Sequence, residues 1–241
     1  TGLKAGNSVL ISSGPQSVTL NADGTYRFGR FPTGTLYNVT ATSASDAQAC
    51  TVTNGSGQIG TADIDNIVVN CVDTFRVGGT LSGYVAGNGP VGVVLNGGES
   101  VNLTADGAFS FITRFTSGAS YSVTLGTVPN TLVCSIVNGS GQLVSADVGS
   151  VAVNCEPAKG SIGFTVIGLT SADPLVVQLN GSGFSQPPTP DRLVQVSSDG
   201  GQTFVSQVAA GSSYEIVIAQ APSQHACKVA NGTGIFMPPS V

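Results

Sequence analysis

A set of landmarks that recurs three times along the 241 residues constrains this chain more than any other feature. Each copy has an Asp-Gly turn, a phenylalanine five residues after the Asp, a Gly-x-x-Tyr, and a cysteine thirteen residues after the tyrosine. Four residues beyond the cysteine comes Asn-Gly-Ser/Thr-Gly. A repeat of this length indicates tandem copies of one structural unit. The landmarks are Asp23, Phe28, Tyr37 and Cys50; Asp106, Phe111, Tyr121 and Cys134; and Asp199, Phe204, Tyr214 and Cys227.

The landmarks divide the chain into three units, residues 1–72, 73–156 and 157–241. The third unit carries an insertion, residues 183–192, which is rich in proline. The linkers between units are only two or three residues long, Val72-Asp73 and Glu156-Pro157-Ala158. Because such short connectors leave neighbouring units little freedom, we expect an elongated rod.

Within each unit the apolar residues alternate with polar ones, as in residues 121–125 and 109–111. This period of two is typical of strands with one buried face, and Asp-Gly and Asn-Gly are typical of hairpin turns. The second unit therefore predicts about seven strands, and the chain an all-β fold of three tandem immunoglobulin-like β-sandwiches. The expected core of the second unit is Val77, Val94, Leu103, Phe111, Tyr121, Val123, Val133 and Val151.

Cysteines recur with the repeat. In the first two units a second cysteine follows 21 residues after the first, which predicts the disulfides Cys50–Cys71 and Cys134–Cys155. Each closes a loop that would stabilise the unit by about 3 kcal/mol. Disulfides persist in oxidising compartments, so we expect an extracellular or cell-surface location. Cys227 is the fifth cysteine and is left unpaired, available for a link between subunits.

The two ends of the repeat pattern are shorter than its middle. Alignment of residues 2–7 with 83–88 indicates that the first unit lacks its first strand, and the partner of Cys227 would fall at position 248, so the third unit lacks its last strand. Two interpretations stay open. The sequence is an excerpt from a longer array of repeats, or subunits exchange a strand and assemble into a filament.

Composition excludes several classes of function. The net charge is −5 and the basic residues form no cluster, which is against nucleic acid as a partner. No apolar run is long enough to span a membrane. The Asp residues of the turns stand nearly alone, so neither a metal nor a cofactor is predicted. His225 is the single histidine, and the other units have Gln48 and Leu132 in its place, so we predict no catalysis.

The motifs Asp-Gly-x-Tyr/Phe-x-Phe, Gly-x-x-Tyr-x-Val, Cys-x-Val-x-Asn-Gly-Ser-Gly and Val-x-Val-x-Cys resemble the tandem immunoglobulin-like repeats of bacterial surface and secreted proteins. More distantly, residues 23–28 and 37–40 resemble Cna B-type and carboxypeptidase-regulatory-like sandwiches. The resemblance implies a bacterial stalk, spacer or adhesin module. Cna B-type domains often carry a Lys-to-Asn cross-link, but residues 73–156 contain no lysine.

These observations predict a non-catalytic extracellular structural module, a stalk or filament subunit whose partners are copies of itself or flanking repeats. The alternative is an adhesin or carbohydrate-binding module that contacts surface glycans or proteins. For that alternative the sequence offers Tyr84, Phe184 and Arg192, the last two in the proline-rich insertion.

Overall fold

A computed structural model describes residues 1–170, 173–223 and 225–239. The fold is all-β, because alternating apolar residues and glycine turns favour strands throughout. Among the described residues the one regular helix is a 3₁₀ turn at Pro190–Arg192. No helix in those ranges is long and apolar enough to cross a membrane.

The first third of the chain forms β1 to β6. Strands β1, β2, β3 and β5 make an antiparallel sheet in the order β2-β1-β3-β5, and β4 pairs with β6. Residues 24–32, which correspond to a long strand in the second repeat, are not in a strand here. The strands are β1 Val9–Ser13, β2 Gln16–Leu20, β3 Leu36–Ser43, β4 Gln48–Thr53, β5 Ser56–Gln58 and β6 Val68–Ser82.

The middle third forms a sandwich of two sheets. One sheet has the order β12-β10-β7-β8; in the other, β13 lies between β11 and β6, and β9 pairs with the far edge of β6. The β13–β6 pairing is parallel. The core lies between the sheets and includes Val77, Val93, Phe111 and Val153. The strands are β7 Val91–Leu95, β8 Glu99–Leu103, β9 Gly107–Thr116, β10 Ser120–Leu125, β11 Leu132–Val137, β12 Ser140–Gln142 and β13 Val148–Pro157.

The last third repeats this plan with fewer pairings. Strands β15, β16, β18 and β19 form a sheet in the order β16-β15-β18-β19, and β14 pairs with β17. The insertion 183–192 lies in the connection between β15 and β16 and ends in the 3₁₀ turn. The strands are β14 Lys159–Val166, β15 Leu175–Gly181, β16 Leu193–Val196, β17 Gly200–Ala209, β18 Ser213–Gln220 and β19 Thr233–Ile235.

Two predicted core positions of the second repeat are wrong. Val133 is 57% exposed, and β11 instead directs the buried Leu132 inward. On β7, Val91, Val93 and Leu95 face the core, so Val94 is only half-buried. Side chains alternate between the two faces of a strand, so an error of one residue in the inward set reverses the whole strand. On both strands two apolar residues are adjacent, Leu132-Val133 and Val93-Val94, so the sequence does not indicate which of the two faces inward.

Strand β6 joins the first two repeats without a break. Residues 68–73 pair with β4 of the first repeat, and residues 74–81 pair with β9 of the second. At the next junction, β13 and β14 are separated only by Ala158. The same main-chain hydrogen bond forms at both places: Thr74 N donates to Ala47 O at 2.8 Å, and Ala158 N donates to Thr131 O at 2.8 Å.

Candidate functional site

The two disulfides lie on paired strands at the closing hairpin of a repeat. Cys50 on β4 is directly opposite Cys71 on β6, with an S–S distance of 2.02 Å. Cys134 on β11 is directly opposite Cys155 on β13, with an S–S distance of 1.98 Å. In the third repeat Cys227 has a free thiol and is half-buried against that repeat's core.

His225 lies two residues before Cys227 but does not bond to it. Its Nε2 is 2.9 Å from Thr170 Oγ1, and its Nδ1 is 3.3 Å from the Ser223 carbonyl oxygen. A neutral ring protonated at Nδ1 satisfies both contacts, since the hydroxyl then donates to Nε2. The lone pair that a general base would use is therefore engaged by Thr170 rather than directed at the thiol.

The three repeated aspartates bond to the main chain far along the sequence. Asp23 accepts the N–H groups of Gly2 and Leu3, each at 2.9 Å. Asp106 accepts those of Gly83 at 3.2 Å and Tyr84 at 2.7 Å, and Asp199 accepts those of Gly168 at 2.8 Å and Leu169 at 2.6 Å. The carboxylates therefore do more than form turns: Asp106 and Asp199 anchor the residues that follow β6 and β14, and Asp23 anchors the corresponding residues Gly2 and Leu3.

At Asp23 and Asp199 these bonds favour the ionised carboxylate. The hydrogen bond from Leu3 N, followed by that from Gly2 N, lowers the pKa of Asp23 below its usual 3.8. The bonds from Gly168 N and then Leu169 N lower the pKa of Asp199 in the same way. The carboxylate oxygens are occupied by main-chain donors, and within the described ranges no group of three or more His, Cys, Asp or Glu side chains is placed to hold a metal ion.

The proposed binding residues pack against their own repeats. Tyr84 packs against the core of the second repeat, and its hydroxyl donates to Gly89 O at 3.0 Å. Phe184 is half-buried against the core of the third repeat. The sequence predicts both as contacts for a ligand, and the structure places each against the core of its own repeat.

Arg192 is 1% exposed, although the sequence offered it as a binding residue. Its guanidinium lies 4.9 Å from the centre of the Phe184 ring, and its Nη2 donates to the carbonyl oxygens of Ser185 and Pro187. Arg192 thus bonds to the proline-rich loop from inside. Its guanidinium group is not exposed on the surface of that loop.

The alignment of the three repeats explains why Arg192 occupies a buried position. Seven residues before the turn aspartate stand Gln16, Glu99 and Arg192. Glu99 accepts the N–H groups of Ile112 at 2.6 Å and Thr113 at 2.8 Å, and Gln16 accepts that of Gly29 at 2.6 Å. An arginine side chain has no acceptor atom and cannot bond to main-chain N–H groups in this way. In the third repeat Arg192 instead donates to carbonyl oxygens of the inserted loop.

No family model matches this chain, and no curated protein matches it. Among solved structures it is similar to the TIE protein of Bacillus anthracis, with 14% identity and a TM-score of 0.38, over 91% of this chain and 43% of that one. It is also similar to the pilus adhesin SpaC of Lactobacillus rhamnosus GG, with 9% identity and a TM-score of 0.30, over 92% and 35% of the two chains.

A further similarity is to two B repeat units of the collagen-binding protein Cna of Staphylococcus aureus, with 12% identity and a TM-score of 0.24, over 95% of this chain and 67% of that one. The chain thus spans less than half the length of the first two structures.

Proposed function

We propose that this chain is a non-catalytic structural module of the bacterial cell surface, serving as a stalk or as a filament subunit. The observation that carries the proposal is strand β6, which ends one repeat and begins the next without interruption. A linker made of paired strand cannot bend at a single residue without breaking hydrogen bonds to β4 or β9. Successive repeats then keep a fixed orientation, which is what a spacer requires.

Side chains fasten the first junction. Thr74, in the middle of β6, donates through its hydroxyl to Asp46 O at 2.7 Å and accepts from Arg114 Nε at 2.9 Å. The carboxylate of Asp46 contacts Arg76 and, at 3.8 Å, Arg114. These groups belong to the loop before β4, to β6 and to β9, so the polar cluster ties the first repeat to the second.

A second cluster lies on the first-repeat side of this junction. Gln48 is buried, and its Nε2 donates to Gly2 O at 2.9 Å and to Asp73 Oδ1 at 3.0 Å. Its Oε1 accepts from Asn7 Nδ2 at 2.7 Å and from Lys4 N at 3.1 Å. A buried amide with this many partners resists displacement, because any movement leaves polar atoms without partners.

The disulfides support the cellular location in this proposal. Both close the last hairpin of a repeat, immediately before a junction, and disulfides persist in oxidising surroundings such as the cell exterior. A unit of this size has a small core, so a covalent link at the end that joins its neighbour stabilises the part of the repeat that bears load.

Small-angle scattering tests the proposal. A compact protein of this length has a radius of gyration of about 18 Å, and a rod of three repeats should lie well above that value. Inserting a flexible Gly/Ser spacer between Asp73 and Thr74 should broaden the distribution of interatomic distances. The same spacer inserted between Pro188 and Thr189 is the control and should not change it. A radius near 18 Å for the unmodified chain would refute the proposal.

A further inference from the structure

The second repeat receives tension through two neighbouring strands when the chain is pulled along its length. The chain enters this repeat on β6, at Thr74, and leaves it at Pro157, the last residue of β13. The two strands pair directly and run parallel, with residues 77–82 of β6 beside residues 148–154 of β13. We call these paired segments the clamp. Because the strands are parallel, the chain enters and leaves at opposite ends of the clamp.

Tension acts along the strands of the clamp. The pull on β6 is directed towards its N-terminal end and the pull on β13 towards its C-terminal end, so the strands are forced to slide past each other. Hydrogen bonds between strands run across the strand direction, so sliding loads all the bonds of the clamp at the same time. Strands that are peeled apart from one end instead lose these bonds one after another. The topology therefore makes the bonds of the clamp resist tension together.

Each strand of the clamp has a partner on both sides. β6 lies between β13 and β9, which pairs with residues 74–81, and β13 lies between β6 and β11. A strand held on both sides has to break two sets of hydrogen bonds before it leaves the sheet. The disulfide between Cys134 and Cys155 also joins β11 covalently to β13. The second repeat therefore cannot extend until the bonds between β6 and β13 have broken.

The core side of the clamp is shielded from water. Four of its side chains are buried between the sheets: Val77 and Leu81 on β6, and Val151 and Val153 on β13. Gly79 lets the strands approach closely, since a Cβ there would lie 1.9 Å from Val151 O. Hydrogen bonds that water cannot reach are costly to break, because the separated groups find no new partner at once. The clamp thus resists sliding until several bonds fail together.

Polar contacts fasten the far end of the clamp. Ser82 Oγ donates to Asn154 Oδ1 at 2.9 Å, directly across the two strands. Immediately beyond β6, the Asp106 carboxylate accepts the N–H groups of Gly83 at 3.2 Å and Tyr84 at 2.7 Å. Tension draws these two residues along behind β6, so their bonds to the carboxylate must break before β6 slides. Bonds to an ionised acceptor are stronger than those between neutral groups, so Asp106 adds resistance in the direction of the pull.

We propose that the second repeat has a mechanical function: the clamp resists tension along the chain, and the disulfide limits the extension that follows when the clamp breaks. Both strands of the clamp continue into neighbouring repeats of this chain, so tension reaches them through the main chain itself. The disulfide withholds 21 residues from extension, which at about 3.6 Å per residue shortens the extended repeat by about 75 Å. The inference goes beyond the proposed stalk, because a spacer that fixes orientation need not resist pulling.

The first test compares two directions of pulling on the intact chain in an optical trap. The handles are attached through azide-bearing amino acids at exposed positions. Handles at Val72 and Lys159 make the strands of the clamp slide, as tension along the chain does. Handles at Val85 and Lys159 pull on the same end of both strands and peel them apart. At one loading rate, peeling should unfold the repeat at no more than about half the force, because the bonds break singly. Equal forces would overturn the proposal.

Two matched variants test whether the clamp is the part that fails first. Val153→Ala removes two methyl groups from the core side of β13, and Val123→Ala removes the same groups from β10 in the opposite sheet. Both should lower the stability of the second repeat in hydrogen exchange, because both leave a cavity in one core. Only Val153→Ala should lower the force measured between Val72 and Lys159. An equal fall in force for both variants would show that the whole core resists tension and would contradict the proposal.

Removal of the disulfide separates resistance from extension. With Cys134→Ala and Cys155→Ala combined, the contour length gained on unfolding should increase by about 75 Å, because the withheld residues are released. The unfolding force should not change, since the disulfide restricts the unfolded chain rather than the bonds of the clamp. A fall in force would show that the β11–β13 hairpin resists the tension instead, and would overturn the proposal. Such a result, or equal forces in the two directions, leaves the scattering test of the rod unaffected.

Discussion

The second and third repeats share one plan but differ in how the closing hairpin is completed. In the second, β13 lies between β11 and β6, and Cys134 is bonded to Cys155. In the third, Cys227 is free, and the counterpart of β11 is not a strand although its sequence keeps the same landmarks. The difference teaches that the strand conformation of this segment depends on its partner more than on its own residues.

The disulfide makes the largest expected contribution to this difference. Replacing Cys134 and Cys155 together by alanine should destabilise the second repeat by about 3 kcal/mol, because the bond restricts a loop of 21 residues in the unfolded chain. Cys227→Ala is the control and should change stability by no more than about 0.5 kcal/mol. Hydrogen exchange, analysed separately for each repeat, measures the stability change in both variants. A single unfolding transition of the whole chain cannot be assigned to one repeat. If both variants lost a similar amount of stability, the disulfide would not account for the difference between the two repeats.

The close approach of β13 to β6 gives the next effect. Gly79→Ala places a Cβ against the main-chain oxygen of Val151 and should cost about 2 kcal/mol, because the strands must separate. Gly149→Ala, on β13 itself, has nothing within 4 Å of the new Cβ and serves as the control. Urea unfolding of the two variants checks the prediction. If both variants unfold at the same urea concentration, β13 does not pack on β6 as described.

The aspartate anchor, which the repeats share, gives the smallest effect. Main-chain hydrogen bonds lower the folded-state pKa of Asp199 below 3.8, so the stabilisation is present at neutral pH and is lost as the pH falls below about 3.8 towards the lowered pKa. The melting temperature should fall by a few degrees across that range. Asp199→Asn should melt lower at neutral pH and respond less to acid. An equal acid response in both proteins would show that the anchor does not contribute.

The sequence predicted the fold class and most of the strands because both depend on local signals. Alternation in residues 121–125 and the Asp-Gly turns produced β10 and β9 where they were expected. The prediction of the buried face was wrong on β7 and β11, where neighbouring residues are equally apolar. Hydrophobicity alone cannot show which of two adjacent apolar residues faces the core. The three-residue strands β5, β12 and β19 were not predicted, because Ser/Thr-Gly motifs read as turns.

The candidate site residues also divide into those with a local sequence signal and those without one. Cysteines at a fixed spacing of 21 residues are joined across paired strands. The burial of Arg192 was not predicted, because an arginine in a polar loop has no local signal for burial; the alignment with Gln16 and Glu99 was the one available clue. The partners of Asp23, Asp106 and Asp199 are 20 to 31 residues away, beyond the reach of a turn motif.

The sequence by itself determined the repeat, the strand-rich composition and the positions of the cysteines, because these follow from residue type and period. The tertiary structure alone decided which face of each strand is buried, that one strand serves two repeats, and that Gly168 borders open space while Gly83 does not. Those features depend on the distance between segments far apart in the chain. That distance is set by packing between strands rather than by the residues of any one segment.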